Sequence, residues 1–201
     1  KGFTIHTTRE YAPGEQLFIN YGAHGNTRLL RNYGFTMPNN PFDTAVLSLP
    51  AELQQLDSAD KTSQDKATLL SALGVDAKPK TVTLLSTGAL TSQSHQWLQF
   101  RLADADEMAT MIQQFSQSVG GGNTDGQVPS FETPDSLNQK IQSQIRQLCS
   151  TRLRQHKNSI QHDEKFLETH HQQMAPWLRS AVHVRLSEKR ILSKAAASER
   201  Q

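Results

Sequence analysis

The sequence has a single cysteine, Cys149, in 201 residues. That excludes a disulfide framework and any multi-cysteine zinc site. It has no run near the ~18 apolar residues that span a bilayer and no charged-then-apolar leader, so no membrane partner is expected. It is also short of apolar residues in general: counted with Gly and without Tyr they are roughly 39%, against the usual ~45–50%. With a mean hydropathy of −0.60, this points to polar helices and loops around a modest core. Disorder is excluded because aliphatic residues recur in patterned blocks and the net charge is only +2.

The near-neutral total hides an asymmetry. Before Lys140 there are 9 basic and 14 acidic residues; from Lys140 onward there are 12 and 5. All three tyrosines, Tyr11, Tyr21 and Tyr33, lie in the first 34 residues, together with five of the eleven glycines. The chain therefore divides into a short aromatic and glycine-rich piece and a longer helical one.

In the first piece, alternation over Phe3–Thr8 and the apolar run Gln16–Asn20 predict two strands separated by the Pro13-Gly14 turn. Asn26 is placed to cap a short helix carrying Leu29 and Leu30, which ends at Tyr33 before Gly34. After the break at Met37–Pro41, strands are predicted over Thr44–Leu49 and Thr81–Leu85. Helices are predicted over Gln64–Leu73, His95–Leu102, Asp104–Ser118, from about Asp135, after Asp163, and from Pro176 onward. The third of these is anchored by Met108, Met111, Ile112 and Phe115, and the last carries Trp177, Leu178, Val182, Leu186, Ile191 and Leu192. Gly120–Gly126 is too glycine-rich for either element. No internal repeat is present.

Three groups of reactive side chains read as structural. His156, His162, His170 and His171 lie near Asp163 and Glu164, but without the helical two-His-one-Glu spacing of a zinc hydrolase and among cations, so they read as a solvated helical surface and no metal is expected. Cys149, beside Leu148, reads as a small buried thiol. The scattered Lys and Arg of the C-terminal half lack aromatics to stack bases and read as solvated faces, which argues against nucleic acid; a groove for an acidic protein is the functional alternative.

The N-terminal piece carries the specific signal. Gly14-Glu15-Gln16-Leu17-Phe18-Ile19-Asn20-Tyr21-Gly22, followed by Asn26, Leu29, Leu30 and Tyr33-Gly34-Phe35, resembles the final motif of the SET-domain methyltransferases. The order of elements beyond it is similar to the C-terminal domain of the Rubisco large-subunit methyltransferase class of SET proteins. Two segments carry that likeness: Ser159–Glu164, and the closing helix around Arg185-Leu186-Ser187-Glu188-Lys189. The resemblance implies an α+β chain: the end of a SET domain at 1–40, short and β-rich, a mostly helical substrate-binding domain at 41–195, and a tail at 196–201.

It further implies S-adenosylmethionine as cofactor and a protein-lysine N-methyltransferase activity, with histidine as the alternative acceptor. The helical domain would bind the protein substrate, and a monomer is expected. By resemblance, Tyr21 is the catalytic tyrosine beside the transferred methyl, Tyr33 lines the channel for the target side chain, and Phe35 packs on the cofactor's adenine. The chemistry suits these residue types. A lysine amine, with a pKa of about 10.4 in water, must be neutral to attack, and aromatic walls desolvate it while phenolic hydroxyls orient it. The chain opens after the points where that class carries its glycine-containing cofactor motif and its Asn-His motif. Residues 1–201 alone are therefore expected neither to bind the cofactor well nor to turn over, and Phe3, Ile5, Leu17, Phe18 and Ile19 are expected to be unusually exposed. The rival reading is a catalytically silent interaction module. The compartment stays open, cytoplasmic, nuclear or plastid.

Overall fold

A computed structural model gives the fold, and it describes all residues except 1, 3, 5, 55–60, 73, 75–78, 121–131, 171 and 199–201. The elements are α1 (Asn26–Tyr33), β1 (Thr44–Ser48), α2 (Ala51–Gln54), α3 (Lys61–Ala72), β2 (Thr81–Leu85), α4 (Ser92–Leu102), α5 (Ala105–Gly120), α6 (Asp135–Gln155), α7 (Ile160–His170) and α8 (Pro176–Ala197). The α+β, mostly helical reading is thereby met. Apart from α2, which the sequence reading does not predict, the helices fall where the apolar periodicity predicts them, with α3 and α4 starting three residues earlier, α7 beginning before Asp163 and α5 running on through Gly120, which the sequence reading places in the loop. Phe3, Ile5, Leu73, His171 and most of the glycine-rich loop lie outside the described residues, as does the side chain of Phe115.

β1 and β2 pair antiparallel, with Ala45 opposite Leu84 and Leu47 opposite Val82. These four side chains are buried while their neighbours Thr44, Val46, Ser48, Thr81 and Leu85 face outward. Each strand thus turns one face to the core, as a period of two requires. That face joins Leu70, Trp97, Leu98, Phe100, Met108, Met111, Leu137, Ile141, Cys149 and Leu192 in the main core. Burial of each large side chain there contributes roughly 1.5–3 kcal/mol. A smaller cluster of Leu167, Met174, Val182 and Leu186 sits where α7 crosses α8.

α8 is the spine: α6, α7, α1 and both strands pack against it. Pro176 at its first turn costs no hydrogen bond, since that N–H has no helical partner. The turn after β2 lies directly on α8. At Gly88, φ is +90° and a Cβ would sit 2.9 Å from the Ala195 nitrogen, so only glycine allows the approach.

The two N-terminal strands predicted over 3–8 and 16–20 are not formed among the described residues. An apolar run becomes a strand only when another chain segment takes its backbone hydrogen bonds, and none of the described residues does so here. Leu17, Phe18 and Ile19 are 61%, 77% and 69% exposed, the exposure the sequence reading expects.

Candidate functional site

Tyr21, Tyr33 and Phe35 come together. The ring centroids of Tyr21 and Tyr33 are 4.5 Å apart, those of Tyr21 and Phe35 are 5.5 Å apart, and those of Tyr33 and Phe35 are 6.3 Å apart. Tyr33 closes α1, Gly34 takes the left-handed conformation at φ 78°, and its N–H donates to the Leu30 carbonyl. That reversal brings Phe35 back beside the ring it has just passed. Tyr21 arrives from the other end of α1, where Gly22 at φ 87° donates to the Asn20 side chain and turns the chain into the helix. The two tyrosines are 45% and 46% exposed, so both side chains remain partly accessible to a ligand.

What fixes this corner is a buried polar clasp that the sequence reading does not find. Asn26 is the first residue of α1 rather than its cap, and its side chain is buried. It accepts from the Met37 N–H at 2.7 Å and donates to the Met37 carbonyl at 2.8 Å, fastening the segment just after Phe35. The end of α1 is capped instead from a distance, because Asp43 accepts from the Asn26 backbone N–H at 2.6 Å. A carboxylate is favoured there by the positive helix end. The other Asp43 oxygen accepts from the Asn26 amide at 2.9 Å and from the Ser187 hydroxyl on α8. Asn40, also buried, donates to the His24 carbonyl at 2.8 Å. Aromatic corner and helical body are therefore joined through three buried polar residues, Asn26, Asn40 and Asp43. Only Asn26 carried a signal in the sequence, and that signal pointed to a different job.

A second cluster joins the two segments whose resemblance was noted separately. Asp163 on α7 is fully buried and takes Arg185 in a two-point contact at 2.6 and 2.9 Å and Lys189 at 2.6 Å, both from α8. Burial alone would raise the Asp163 carboxyl, but the two cations outweigh it and hold the group below its usual range. Arg190 pairs with Glu164 at 2.7 Å, and Glu188 with Arg152 of α6 at 2.9 Å. The expectation of solvated charges is thus corrected at Asp163 and Lys189, which are 0% and 1% exposed. It is corrected too at His156, whose Nε2 is buried 3.7 Å from Glu188, beyond hydrogen-bond reach, and whose pKa burial pushes down. His162 and His170 do lie at the surface. Their spacing simply does not reveal which helix face meets α8.

Cys149 is fully buried, and that burial pushes its thiol up to about 11, so at neutral pH it holds its proton and is no nucleophile. Among the described residues no group of three His, Cys, Asp or Glu side chains could hold a metal, and no helix is long and apolar enough to cross a membrane.

Comparison with solved structures gives the same fold in the SET domain of LSMT crystallised with lysine and AdoHcy. The TM-score is 0.67 at 19% identity, over 91% of this chain and 39% of that one. Rubisco LSMT bound to AdoMet matches with a TM-score of 0.65 over 91% of this chain and 40% of that one. Among curated proteins, the ribosomal lysine N-methyltransferase set10 of Schizosaccharomyces pombe is 58% identical over 38 residues, 19% of this chain and 7% of that protein. The actin-histidine N-methyltransferase of Gallus gallus is 23% identical over 194 residues, 94% of this chain and 30% of that protein. The chain spans less than a third of the length of these curated relatives. Residues 57–192, which run from the approach to α3 through the ion-paired α7 and α8, match the family model described as Rubisco LSMT substrate-binding, and the chain belongs to that family.

Proposed function

We propose that residues 1–201 are the C-terminal part of an S-adenosylmethionine-dependent, SET-class protein-lysine N-methyltransferase. In this reading residues 1–40 end its catalytic domain and 41–195 bind the protein substrate. The observation that carries the reading is the convergence of Tyr21, Tyr33 and Phe35 within 4.5–6.3 Å of one another, on a segment anchored to the helical body by Asn26 and Asp43.

The residues present fit the cofactor. A sulfonium is a cation, and two half-exposed phenol rings with a third aromatic beside them offer it π-faces. Tyr21 and Tyr33 would hold the reacting end and Phe35 the adenine. S-adenosylmethionine, when bound, supplies an electrophilic methyl group. The chain's own residues do the rest. The rings of Tyr21 and Tyr33 exclude water from the incoming amine, which lowers the cost of losing its proton. Their hydroxyls accept from the neutral amine's N–H and hold its lone pair along the line of displacement. The helical body positions the substrate backbone, which converts a bimolecular encounter into an oriented one.

A second acceptor, histidine, is favoured by the similarity to an actin-histidine N-methyltransferase along 94% of this chain. Labelled methyl transfer to lysine and histidine peptides, by the chain together with its proposed upstream catalytic segment, decides between them. N-methyl-lysine is the expected product, and N-methyl-histidine moves the acceptor to the second reading. Absence of both cofactor binding and transfer supports a silent interaction module. Calorimetry on residues 1–201 alone is expected to show no sub-millimolar cofactor binding; such binding would contradict the proposed division of the site.

A further inference from the structure

We infer that Ser187, on α8 of the helical body, is a positioning residue for the aromatic corner: its hydroxyl, acting through Asp43 and Asn26, fixes where Tyr21 and Tyr33 stand. The inference rests on the proposed transferase reading and adds to it a residue from the far end of the chain. Ser187 donates to Asp43 Oδ2, which also accepts from the Asn26 side-chain amide at 2.9 Å. Asp43 Oδ1 accepts from the Asn26 backbone N–H at 2.6 Å. A single carboxylate thus ties one turn of α8 to the first residue of α1.

From Asn26 the tie divides. One branch is α1 itself, whose last residue is Tyr33, so the helix carries the setting of Asn26 directly to that ring. The other is the Asn26 amide, which grips the N–H and the carbonyl of Met37, two residues beyond Phe35. The ring of Tyr21 packs against both, at 4.5 Å from Tyr33 and 5.5 Å from Phe35 between centroids, and its place follows theirs. A second tie runs alongside: Thr36 donates to the hydroxyl of Ser180, itself buried, at 3.3 Å. Ser180 and Ser187 are seven residues apart, about two turns along one face of α8. The segment 36–43 is therefore strapped to the helical body by two serine hydroxyls.

Packing does little to back up the Ser187 tie. Asn26, Asp43 and Ser187 line two cavities of about 290 Å³ each, one shared with Met37, Asn40 and Arg190 and the other with Ala45, Arg152 and Glu188. With that open space around it, Asp43 has few side-chain contacts to keep it in place once the hydroxyl is removed. The buried carboxylate also loses one of its three donors. The consequence for the chemistry is one of reach. The hydroxyls of Tyr21 and Tyr33 have to meet the incoming amine in line with the methyl group, and about 1 Å of misplacement costs up to about 100-fold in rate. Ser187 acts on them by position alone.

The test has two arms. In the 201-residue chain labelled with fluorotyrosine, fluorine NMR reads Tyr11, Tyr21 and Tyr33 separately. Ser187→Ala is expected to shift the Tyr21 and Tyr33 signals and to leave that of Tyr11, whose ring pairs with Arg9 instead. Ser187→Thr keeps the hydroxyl and has cavity space for its extra methyl, so it is expected to restore both signals. In the chain joined to its proposed upstream catalytic segment, Ser187→Ala is expected to lower kcat about tenfold with substrate KM within about twofold, and Ser187→Thr to recover the rate. A wild-type protein that transfers no methyl sinks the transferase reading, while the fluorine arm still decides whether Ser187 sets the corner. Unmoved Tyr21 and Tyr33 signals in Ser187→Ala, a raised KM at constant kcat, or a Ser187→Thr variant that behaves like the alanine one overturns the inference.

Discussion

Gly25 has no room for a methyl group. A Cβ there would lie 2.8 Å from the Phe42 carbonyl oxygen and 3.3 Å from the Asp43 Cα, backbone atoms that cannot swing aside. The cause is Asp43 itself, drawn against the start of α1 to accept from the Asn26 N–H. Gly25→Ala is accordingly expected to push Asp43 out of reach and cost about 1–3 kcal/mol, the usual range for overpacking a tight contact. Thermal unfolding followed by circular dichroism checks this, and an unchanged midpoint would mean that the clasp does not hold the corner. The grouping of Tyr21, Tyr33 and Phe35 at one corner was legible in the sequence because their motif is local and dense. Asp43 was not, because its three partners come from Asn26, which supplies two donors, and from Ser187, 144 residues away.

Among the elements, α7 and α8 are joined by charges as well as by apolar packing. Deleting one member of a buried ion cluster leaves the others desolvated and unpaired, which costs far more than the cluster is worth net. Asp163→Ala strands Lys189, which is 1% exposed, and is expected to cost about 3–5 kcal/mol. At roughly 2–4 °C per kcal/mol for a chain of this size, the melting midpoint should fall by about 6–20 °C. Glu168→Ala, on the exposed face of α7, should leave it within a degree or two. Helices were readable here because three- and four-residue apolar spacing survives without its tertiary context. The strand reading over Gln16–Asn20 failed for the complementary reason: a strand is defined by a partner, and the sequence of one strand does not contain it. Trp177 shows the same limit, since it marks the amphipathic helix in sequence yet is 68% exposed at the first turn of α8.

For the whole molecule, the buried titratable groups predict a two-stage loss of stability in acid. Burial lowers the pKa of His95, and lowers that of His156 against the pull of Glu188. The folded state then binds fewer protons than the unfolded chain, so stability is present above the unfolded histidine pKa of about 6.5 and declines as pH falls below it. Asp163 and Glu107 also have lowered values: in each, burial works upward and is outweighed, by Arg185 and Lys189 in the first and by Lys140, Ser136 and Asp104 in the second. Their contribution is complete above the unfolded carboxyl pKa of about 4 and is lost as pH falls through the depressed folded values. Melting midpoints recorded from pH 8 to 3 should decline as pH falls below about 6.5 and again below about 4. The first decline should flatten in the His95→Gln, His156→Gln double variant. The central proposal is that the aromatic corner held by Asn26 and Asp43 is part of a methyl-transfer site. The measurement that meets it most directly is the rate of methylation of a protein substrate by the chain joined to its proposed upstream catalytic segment and carrying Tyr21→Phe, which keeps the ring and removes the hydroxyl. The account predicts a loss of about 100-fold in kcat with little change in substrate KM, the size of one positioned transition-state hydrogen bond. Undiminished methylation would contradict it.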